Sequence, residues 1–349
     1  MNKIVTFLDN NKKEFSKKVV KKQLEINKRL NERYTPSDIK KCERDVEYLL
    51  AYFIESFQVD EKTLFEDYLL WAKRLLKKLN IHEKVVIENI EIIIQLLKEK
   101  FDIIVENKAI SFLRSGIEKI KSSDYKNKSY LSEKNKYSDL AKKYLNFLIE
   151  GKKSKANKLI MDTFKTGVSI KDIYLNIFQP VQYEVGRLWH ENIITVAQEH
   201  YATAITQLIM SRLYPYIIKN INLNYKILAA CVGDELHEMG IRMLADFFEM
   251  EGWDTYYIGA NTPADSIIQN LKYNRIDVLA LSVTMTFHLK KAKTLIKKIR
   301  EEEDLDNLKI LVGGYPFKIA DGLWKKIGAD GFGRDADEAI TITRRFLEN

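Results

Sequence analysis

The sequence contains only two cysteines, Cys42 and Cys231. Two thiols cannot build a disulfide framework, and they are too few for a cysteine-rich zinc module. Hydrophobic residues make up 46% of the 349 positions and charged residues 30%, so the composition favours buried cores over disorder. The net charge of +8 is a mild excess that a solvated lysine-rich surface can produce, and DNA is not an expected partner.

Long apolar runs are also missing. No stretch approaches the roughly 18 uninterrupted apolar residues typical of a membrane span, and the opening residues MNKIVTFLDNNKK lack the apolar region of a signal peptide. Ser-His-Asp, P-loop and zinc-protease patterns are absent too. We therefore expect a cytoplasmic, soluble protein with no membrane partner and no independent catalytic site, and so not an enzyme.

Glycine is absent before Gly116, and ten of the fourteen glycines lie at or after Gly233. A long stretch without glycine, interrupted only by Pro36, is typical of helices packed on helices. Thr35 and Pro36 form a helix start, and apolar residues recur behind it at three- and four-residue spacing. These are Val46, Leu49, Leu50, Phe53 and Phe57, then Leu64, Tyr68, Ala72, Leu75 and Leu79, then Val86, Ile90, Ile93 and Leu97. Residues 1–121 are therefore predicted to form an all-helical domain.

The rest of the chain divides into three parts. Residues 122–136 are polar and without periodicity, which predicts a linker. Helical patterning over 137–219 has the length of a four-helix bundle. Short apolar runs then alternate with helical patterns over 224–349, which predicts a doubly wound, flavodoxin-like parallel sheet. The strand candidates are 225–232, 255–258, 278–284, 308–312 and 331–332. The fold class is thus α plus α/β.

A histidine follows the first predicted strand, in Glu235-x-His237-x-x-Gly240. A histidine at the carboxyl end of a parallel strand can offer a ring nitrogen to a metal, and an acid two residues earlier can fix its tautomer. By itself this pattern is a weak signal, because a lone histidine on a loop is usually just a surface residue. Asp234 is a second candidate for the orienting acid.

The pattern extends further along the chain, to Ser282-Val283-Thr284 and Gly313-Gly314 at the ends of the third and fourth strands. Together these segments resemble the base-off cobalamin-binding motif, usually written Asp-x-His-x-x-Gly. The resemblance implies that His237 is the lower axial cobalt ligand and that the nucleotide tail passes Ser282, Thr284, Gly313 and Gly314. Glu in place of the usual Asp is typical of CarH/LitR-type light sensors.

The helical segment before the sheet carries a second resemblance. Trp189 is followed, after nine residues, by Glu199 and His200. This spacing resembles the cap bundle of CarH-type adenosylcobalamin photoreceptors. The resemblance implies that Trp189 packs beside the adenosyl group, that Glu199 and His200 contact the adenosine, and that His190 binds cobalt from above after light releases that group. It covers residues 137–345, including the Tyr257–Pro263 segment.

The N-terminal region lacks the MerR-type helix-turn-helix with which such repressors begin. It resembles helical domains that precede cobalamin modules in bacterial sensors, including photocobilins that hold a bilin. Tyr48, Phe53, Tyr68 and Trp71 could line a bilin pocket or fill an ordinary core. The expectation is an adenosylcobalamin-binding light sensor that acts through a partner protein or as a homo-oligomer. Two alternatives stay open, a methyl-carrying corrinoid protein of a methyltransferase system and a plain cobalamin-binding or storage module.

Overall fold

The computed structural model describes residues 2–27, 32, 34–101, 103–123, 128–217 and 223–348. Parts of the predicted N-terminal domain, linker and cap (28–31, 33, 102, 124–127 and 218–219) lie outside the described residues. The chain divides into two compact units. The first comprises residues 1–125 with 285–290 and 318–327, and the second comprises 126–284, 291–317 and 328–349.

The N-terminal part of the first unit is helical, as the glycine-free sequence predicts. Its helices are α1 (Asn2–Ile26), α2 (Pro36–Gln58), α3 (Lys62–Lys78), α4 (Lys84–Lys100) and α5 (Ile103–Ser122). Thr35 caps α2 through a reciprocal capping box with Asp38, which satisfies free N–H groups of the first turn. The periodic apolar residues of α2 and α4 are buried, whereas Leu79 is half exposed at the end of α3.

Two later segments of the chain complete this unit. The buried carboxylate of Glu55 accepts a hydrogen bond from the backbone N–H of Lys290 at 2.9 Å. Burial raises the pKa of Glu55 to about 7. The ring of Phe287 lies edge-on to Tyr52, and Lys326 donates to the Glu61 carboxylate at 3.0 Å. Residues 285–290 and 318–327 are thus held by side chains from α2 and the turn after it.

The second unit begins with four helical stretches that form the predicted cap. They are α6 (Ser138–Ile149), α7 (Lys153–Lys165), a continuous helix from Ile170 to His190, and α10 (Val196–Leu213). The continuous helix consists of α8 (Ile170–Ile173), a π-helical turn (Tyr174–Phe178) and α9 (Gln179–His190). Pro180 has no N–H for the carbonyl of Asn176 one turn earlier, and the Asn135 side chain donates to that carbonyl at 2.6 Å. The predicted linker is therefore bound to the cap where it is described.

Five parallel strands follow in the order β2-β1-β3-β4-β5, which is the predicted flavodoxin-like topology. They are β1 (Lys226–Cys231), β2 (Asp254–Gly259), β3 (Val278–Ser282), β4 (Lys309–Gly313) and β5 (Gly331–Phe332). The helices between and after them along the chain are α11 (Met239–Met250), α12 (Ala264–Asn274), α13 (Leu289–Arg300), α14 (Tyr315–Ile319), α15 (Leu323–Ile327) and α16 (Ala336–Glu348). Cys231, Ser282 and Gly313 stand side by side at the strand ends. Ligands of such sheets bind at these ends, where the strand order reverses between β1 and β3.

One hydrophobic core joins the cap to the sheet, with side chains from the continuous cap helix, from α11 and from β1. At its centre the hydroxyl of Tyr174 donates to the Asp246 carboxylate of α11 at 2.7 Å. The core therefore fixes the cap against the helix that follows the His237 loop. Among the described residues, no helix is long and apolar enough to cross a membrane.

Candidate functional site

His237 lies on the loop between β1 and α11, at the strand-order reversal of the sheet. Its Nδ1–H donates to Glu235 Oε1 at 2.5 Å. The Glu235 side chain is fully buried, while 59% of the His237 side chain is exposed. Since the carboxylate only accepts, it places the ring proton on Nδ1 and leaves Nε2 with a free lone pair.

Glu235 is itself held by backbone donors from two loops. Its Oε2 accepts from the N–H of Thr284, after β3, at 2.8 Å, and its Oε1 accepts from the N–H of His237 at 3.1 Å. The N–H of Asn261, after β2, donates to the Glu235 carbonyl at 3.2 Å. The loops after three neighbouring strands therefore meet at Glu235, which orients His237.

Asp234, the other candidate for the orienting acid, has a different role. Its side chain forms an ion pair with Lys291, and its N–H donates to Asn261 Oδ1 at 3.0 Å. Its φ of +65° is a left-handed conformation that turns the chain just before Glu235. The structure assigns orientation of His237 to Glu235.

The negative charge around His237 raises its pKa, so a metal that binds at Nε2 competes there with a proton. The hydrogen bond with Glu235 raises the pKa of His237, partial burial opposes this, and the charges of Glu235 and Glu199 raise it further. Glu199 lies on the cap helix α10, so the cap brings a second carboxylate into the field of His237. Glu199 also accepts from His200 Nδ1 at 2.5 Å, while 75% of the His200 side chain is exposed.

Trp189 and His190 end α9 with opposite environments. Trp189 is 44% exposed, whereas His190 is buried in the cap at 8%. The helix end is held by Arg187, whose guanidinium donates to Glu184 at 2.5 and 2.9 Å and to Glu191 at 2.7 Å. These ion pairs are largely buried, so they fix the backbone that carries the two residues. Binding of cobalt by His190 stays a prediction. It would require the buried ring to become exposed.

The residues predicted to lie along the nucleotide tail differ in their surroundings. Ser282 is buried, and its hydroxyl interacts with the Cys231 thiol, whose pKa burial raises to about 12. Thr284 contributes its backbone N–H to Glu235. A methyl group built on Gly313 would meet nothing closer than 3.8 Å, and one on Gly240 would meet nothing within 4 Å. Gly314, at φ +111°, lies against the backbone of Val283.

This arrangement fits a base-off cobalamin. The donor is a neutral imidazole nitrogen on an exposed loop, oriented by a buried acid, which is the usual arrangement of a metal-ligating histidine. Open space flanks Gly240, and a methyl group on Gly313 would make only an ordinary van der Waals contact, at 3.8 Å, with the Gly333 carbonyl oxygen. The described residues could therefore hold the group with His237 toward cobalt.

Sequence reasoning missed Glu238, which follows His237. Its Oε2 accepts from the Tyr257 hydroxyl at 3.0 Å and from the Ala260 N–H at 3.2 Å, and its Oε1 accepts from Gln207 Nε2 at 3.0 Å. A single glutamate carries no periodic signal. Two sequence features could have indicated the contact between Glu238 and Tyr257. Glu238 directly follows His237, and Tyr257 lies in the Tyr257–Pro263 segment.

Comparison with known proteins agrees with this site. Residues 225–341 match one model described as a B12 binding domain, and residues 140–214 match a second with the same description. The chain is 30% identical over 122 residues to dimethylamine corrinoid protein 3 of Methanosarcina mazei, covering 35% of this chain and 71% of that protein. It is also 30% identical over 122 residues to the dimethylamine corrinoid protein of Methanosarcina barkeri, covering 35% of this chain and 56% of the relative's length.

Among solved structures, the monomethylamine corrinoid protein of Methanosarcina barkeri superimposes with a TM-score of 0.54 at 19% identity. The match covers 60% of this chain and 99% of that one, and it supports the fold of cap and sheet. Both sequence relatives are named as corrinoid proteins rather than photoreceptors. The chain belongs to the family of corrinoid proteins, and it is a cobalamin-binding protein.

Proposed function

We propose that this protein is a methyl-carrying corrinoid protein of a methyltransferase system. The observation that carries the proposal is the Glu235–His237 pair, held by the Thr284 N–H in a domain similar to dimethylamine corrinoid proteins. A bound corrinoid supplies a cobalt atom that can accept and release a methyl group. As a carrier, the chain would leave catalysis to partner methyltransferases.

The residues of the chain have separate tasks in this proposal. His237 would hold the cofactor from below through Nε2, and Glu235 keeps the proton on Nδ1 so that Nε2 stays available. Burial of Glu235 shields this hydrogen bond from water, which strengthens it. The ion pairs of Arg187 keep the end of α9, which carries Trp189 and His190, in place.

The exposure of the site suits a carrier, which must present its cargo to a second protein. The side chains of His237 and Trp189 are 59% and 44% exposed in the cofactor-free chain. Both side chains are therefore accessible to a second protein. Partner methyltransferases are therefore the proteins expected to dock there.

A second candidate, the adenosylcobalamin light sensor, is favoured by the cap residues. Glu199 forms a hydrogen bond with His200, and its charge raises the pKa of His237. Trp189 is exposed at the end of the preceding helix. A buried adenosine needs hydrogen-bond partners, and Glu199 and His200 could supply them. In this candidate His190 would bind cobalt after light releases the adenosyl group, so His190→Ala should give an aquo-type spectrum after illumination.

One experiment separates the two candidates. The full chain is loaded in the dark with methylcobalamin or with adenosylcobalamin, affinities are measured, and absorption and hydrodynamic size are recorded before and after green light. A carrier should bind methylcobalamin at least as tightly as adenosylcobalamin and keep its hydrodynamic size after illumination. A preference of more than about tenfold for adenosylcobalamin, equal to about 1.4 kcal/mol, together with a light-dependent change in size, would refute the carrier and favour the sensor.

A bilin in the first unit is a separate hypothesis with its own test. Phe53 is fully buried and lies edge-on to Phe65, and Tyr68 stacks on Tyr52 at 4.0 Å, so these aromatic rings already have packing partners. Loading the chain with biliverdin tests the hypothesis. A bound pigment that absorbs red light would support it, and the absence of any bound pigment would refute it.

A further inference from the structure

Glu238 is the residue before α11, yet its side chain does not cap that helix. The carboxylate instead receives three hydrogen bonds from outside the helix. Two come from β2 and the loop after it, through Tyr257 and Ala260, and one comes from Gln207 of the cap helix α10. The residue next to the candidate cobalt ligand therefore joins the sheet to the cap.

The partner residues on α10 form one polar stripe. Glu199, Thr203, Gln207 and Ser211 recur every fourth residue, which places them on one face of the helix. Thr203 donates to Glu199 at 3.2 Å. Further along, Gln207 donates to Glu238, and Arg242 donates to Ser211 at 3.3 Å.

The same spacing occurs on both helices of this contact. Gln207 and Ser211 are four residues apart on α10, and Glu238 and Arg242 are four residues apart at the start of α11. Two parallel contacts resist sliding and rotation better than one. The stripe begins at Glu199, whose negative charge raises the pKa of His237.

We propose that Glu238 is a positioning residue that couples the cap to His237, so that displacement of α10 displaces the His237 ring. The proposal rests on the cobalamin site and deepens the proposed function, because it links the cap to the residue that would bind cobalt. Coupling requires a physical connection between the two sites. The contact between Gln207 and Glu238 provides it, because Gln207 lies on α10 and Glu238 directly follows His237.

The chemistry of the contact defines an informative set of variants. Glu238 is an acceptor for three donors, so Gln207→Glu places a second carboxylate against it and removes one donor. Glu238→Gln alone should be mild, because the Gln207 amide can turn over and accept. In Glu238→Gln/Gln207→Glu the new amide donates to the new carboxylate, while its oxygen still accepts from Tyr257 and Ala260.

The experiment uses the full chain in two states. In the cofactor-free state, hydrogen exchange is followed over residues 233–238 and 196–213. In the state loaded with Co(II) cobinamide, which carries no nucleotide base of its own, the nitrogen splitting of the cobalt EPR signal reports ligation by His237, and the Kd of cobalamin is measured separately. Gln207→Glu should speed exchange in both segments, weaken cobalamin binding about tenfold and reduce the nitrogen splitting, while the double variant should return to within about threefold of wild type.

A second variant keeps the test valid if Gln207→Glu does not fold. Tyr257→Phe removes the donor from β2 and should speed exchange over 233–238. The matched control is Tyr256→Phe, whose hydroxyl donates only to Asp254, at 3.3 Å, among the described hydrogen bonds. The control should behave as wild type.

Two outcomes would overturn the proposal. One is faster exchange in Gln207→Glu that is confined to 196–213, with unchanged nitrogen splitting. The other is a double variant as weak as the single one, which would show that the contact does not couple the sites. Neither readout uses methyl transfer or light, so failure here is distinguishable from failure of the carrier proposal.

Discussion

Replacing Gly314 with alanine should destabilise the second unit strongly, because backbone atoms occupy the space of the new methyl group. Gly314 has a φ of +111°, and a Cβ atom built there would lie 1.9 Å from the carbonyl oxygen of Val283 and 2.6 Å from its carbonyl carbon. Val283 is itself fixed, since its N–H donates to the carbonyl of Gly313 at 3.0 Å. No flexible side chain can move aside, so the end of β3 or β4 must shift.

The cost has two parts. A non-glycine residue held at positive φ costs about 1–3 kcal/mol, and forcing extra volume into a packed region costs about 1–3 kcal/mol more. We therefore expect a loss of about 2–6 kcal/mol, a large share of the 5–15 kcal/mol that is typical for a folded protein. Gly313→Ala is the matched control, because its new methyl group would meet nothing closer than 3.8 Å.

The assay is urea unfolding of the cofactor-free full chain, with hydrogen exchange over residues 309–313 to localise the effect. Gly314→Ala should lower the unfolding midpoint far more than Gly313→Ala, which should stay within about 1 kcal/mol of wild type. Equal midpoints for the two variants would refute the steric argument. Gly313→Ala also tests the tail path, because it should weaken cobalamin more than cobinamide, which lacks the nucleotide.

Three further predictions concern single residues. His237→Ala should give a base-on absorption spectrum or greatly weakened cobalamin binding, and a wild-type spectrum with wild-type affinity would contradict the ligand assignment. Glu199→Ala should weaken adenosylcobalamin more than methylcobalamin if the cap contacts adenosine, whereas equal losses in a binding titration would exclude that selectivity. Burial raises the pKa of Asp246 from 3.8 to about 6, so its contribution to stability is full below pH 3.8 and is lost as pH rises through about 6. Asp246→Asn keeps an acceptor for Tyr174 but has no carboxyl group to titrate. Between pH 4 and pH 7 the melting temperature of this variant, measured by calorimetry, should therefore fall less than that of wild type. Parallel curves of melting temperature against pH would contradict the burial argument.

Much of the fold could be predicted from local patterns. The five strands are short apolar runs, and their observed bounds differ from the predicted ones by only a few residues; β3, for example, ends at Ser282 rather than at Thr284. The His237 motif and the glycines at the strand ends were visible because their spacing in the sequence follows the strand ends. Periodicity and motif spacing are local properties, and they carry this part of the structure.

The contacts that the sequence could not predict join residues far apart in the chain. Tyr130 of the polar segment 122–136 donates its N–H to Glu184, so composition alone suggested a free linker where the described part is bound. The roles of Glu238 and Gln207 depend on packing of α10 beside α11, which no local pattern encodes. The choice between Asp234 and Glu235 also required the backbone conformation at Asp234.

The first unit is built from segments that are far apart in the sequence, and this affects how the protein folds during its synthesis. Glu55 and Lys290 are separated by 235 residues, and Asp9 and Lys290 by 281 residues. During translation, α1–α5 therefore emerge from the ribosome long before the segments that complete their unit are made. Until then the carboxylate of Glu55 is hydrated or binds another group. Long-range contacts of this kind form late and slow folding. A fragment ending at residue 125 would consequently lack the hydrogen bond to Glu55 and the Phe287 ring beside Tyr52, and cutting the gene there would not yield the unit that the full chain forms.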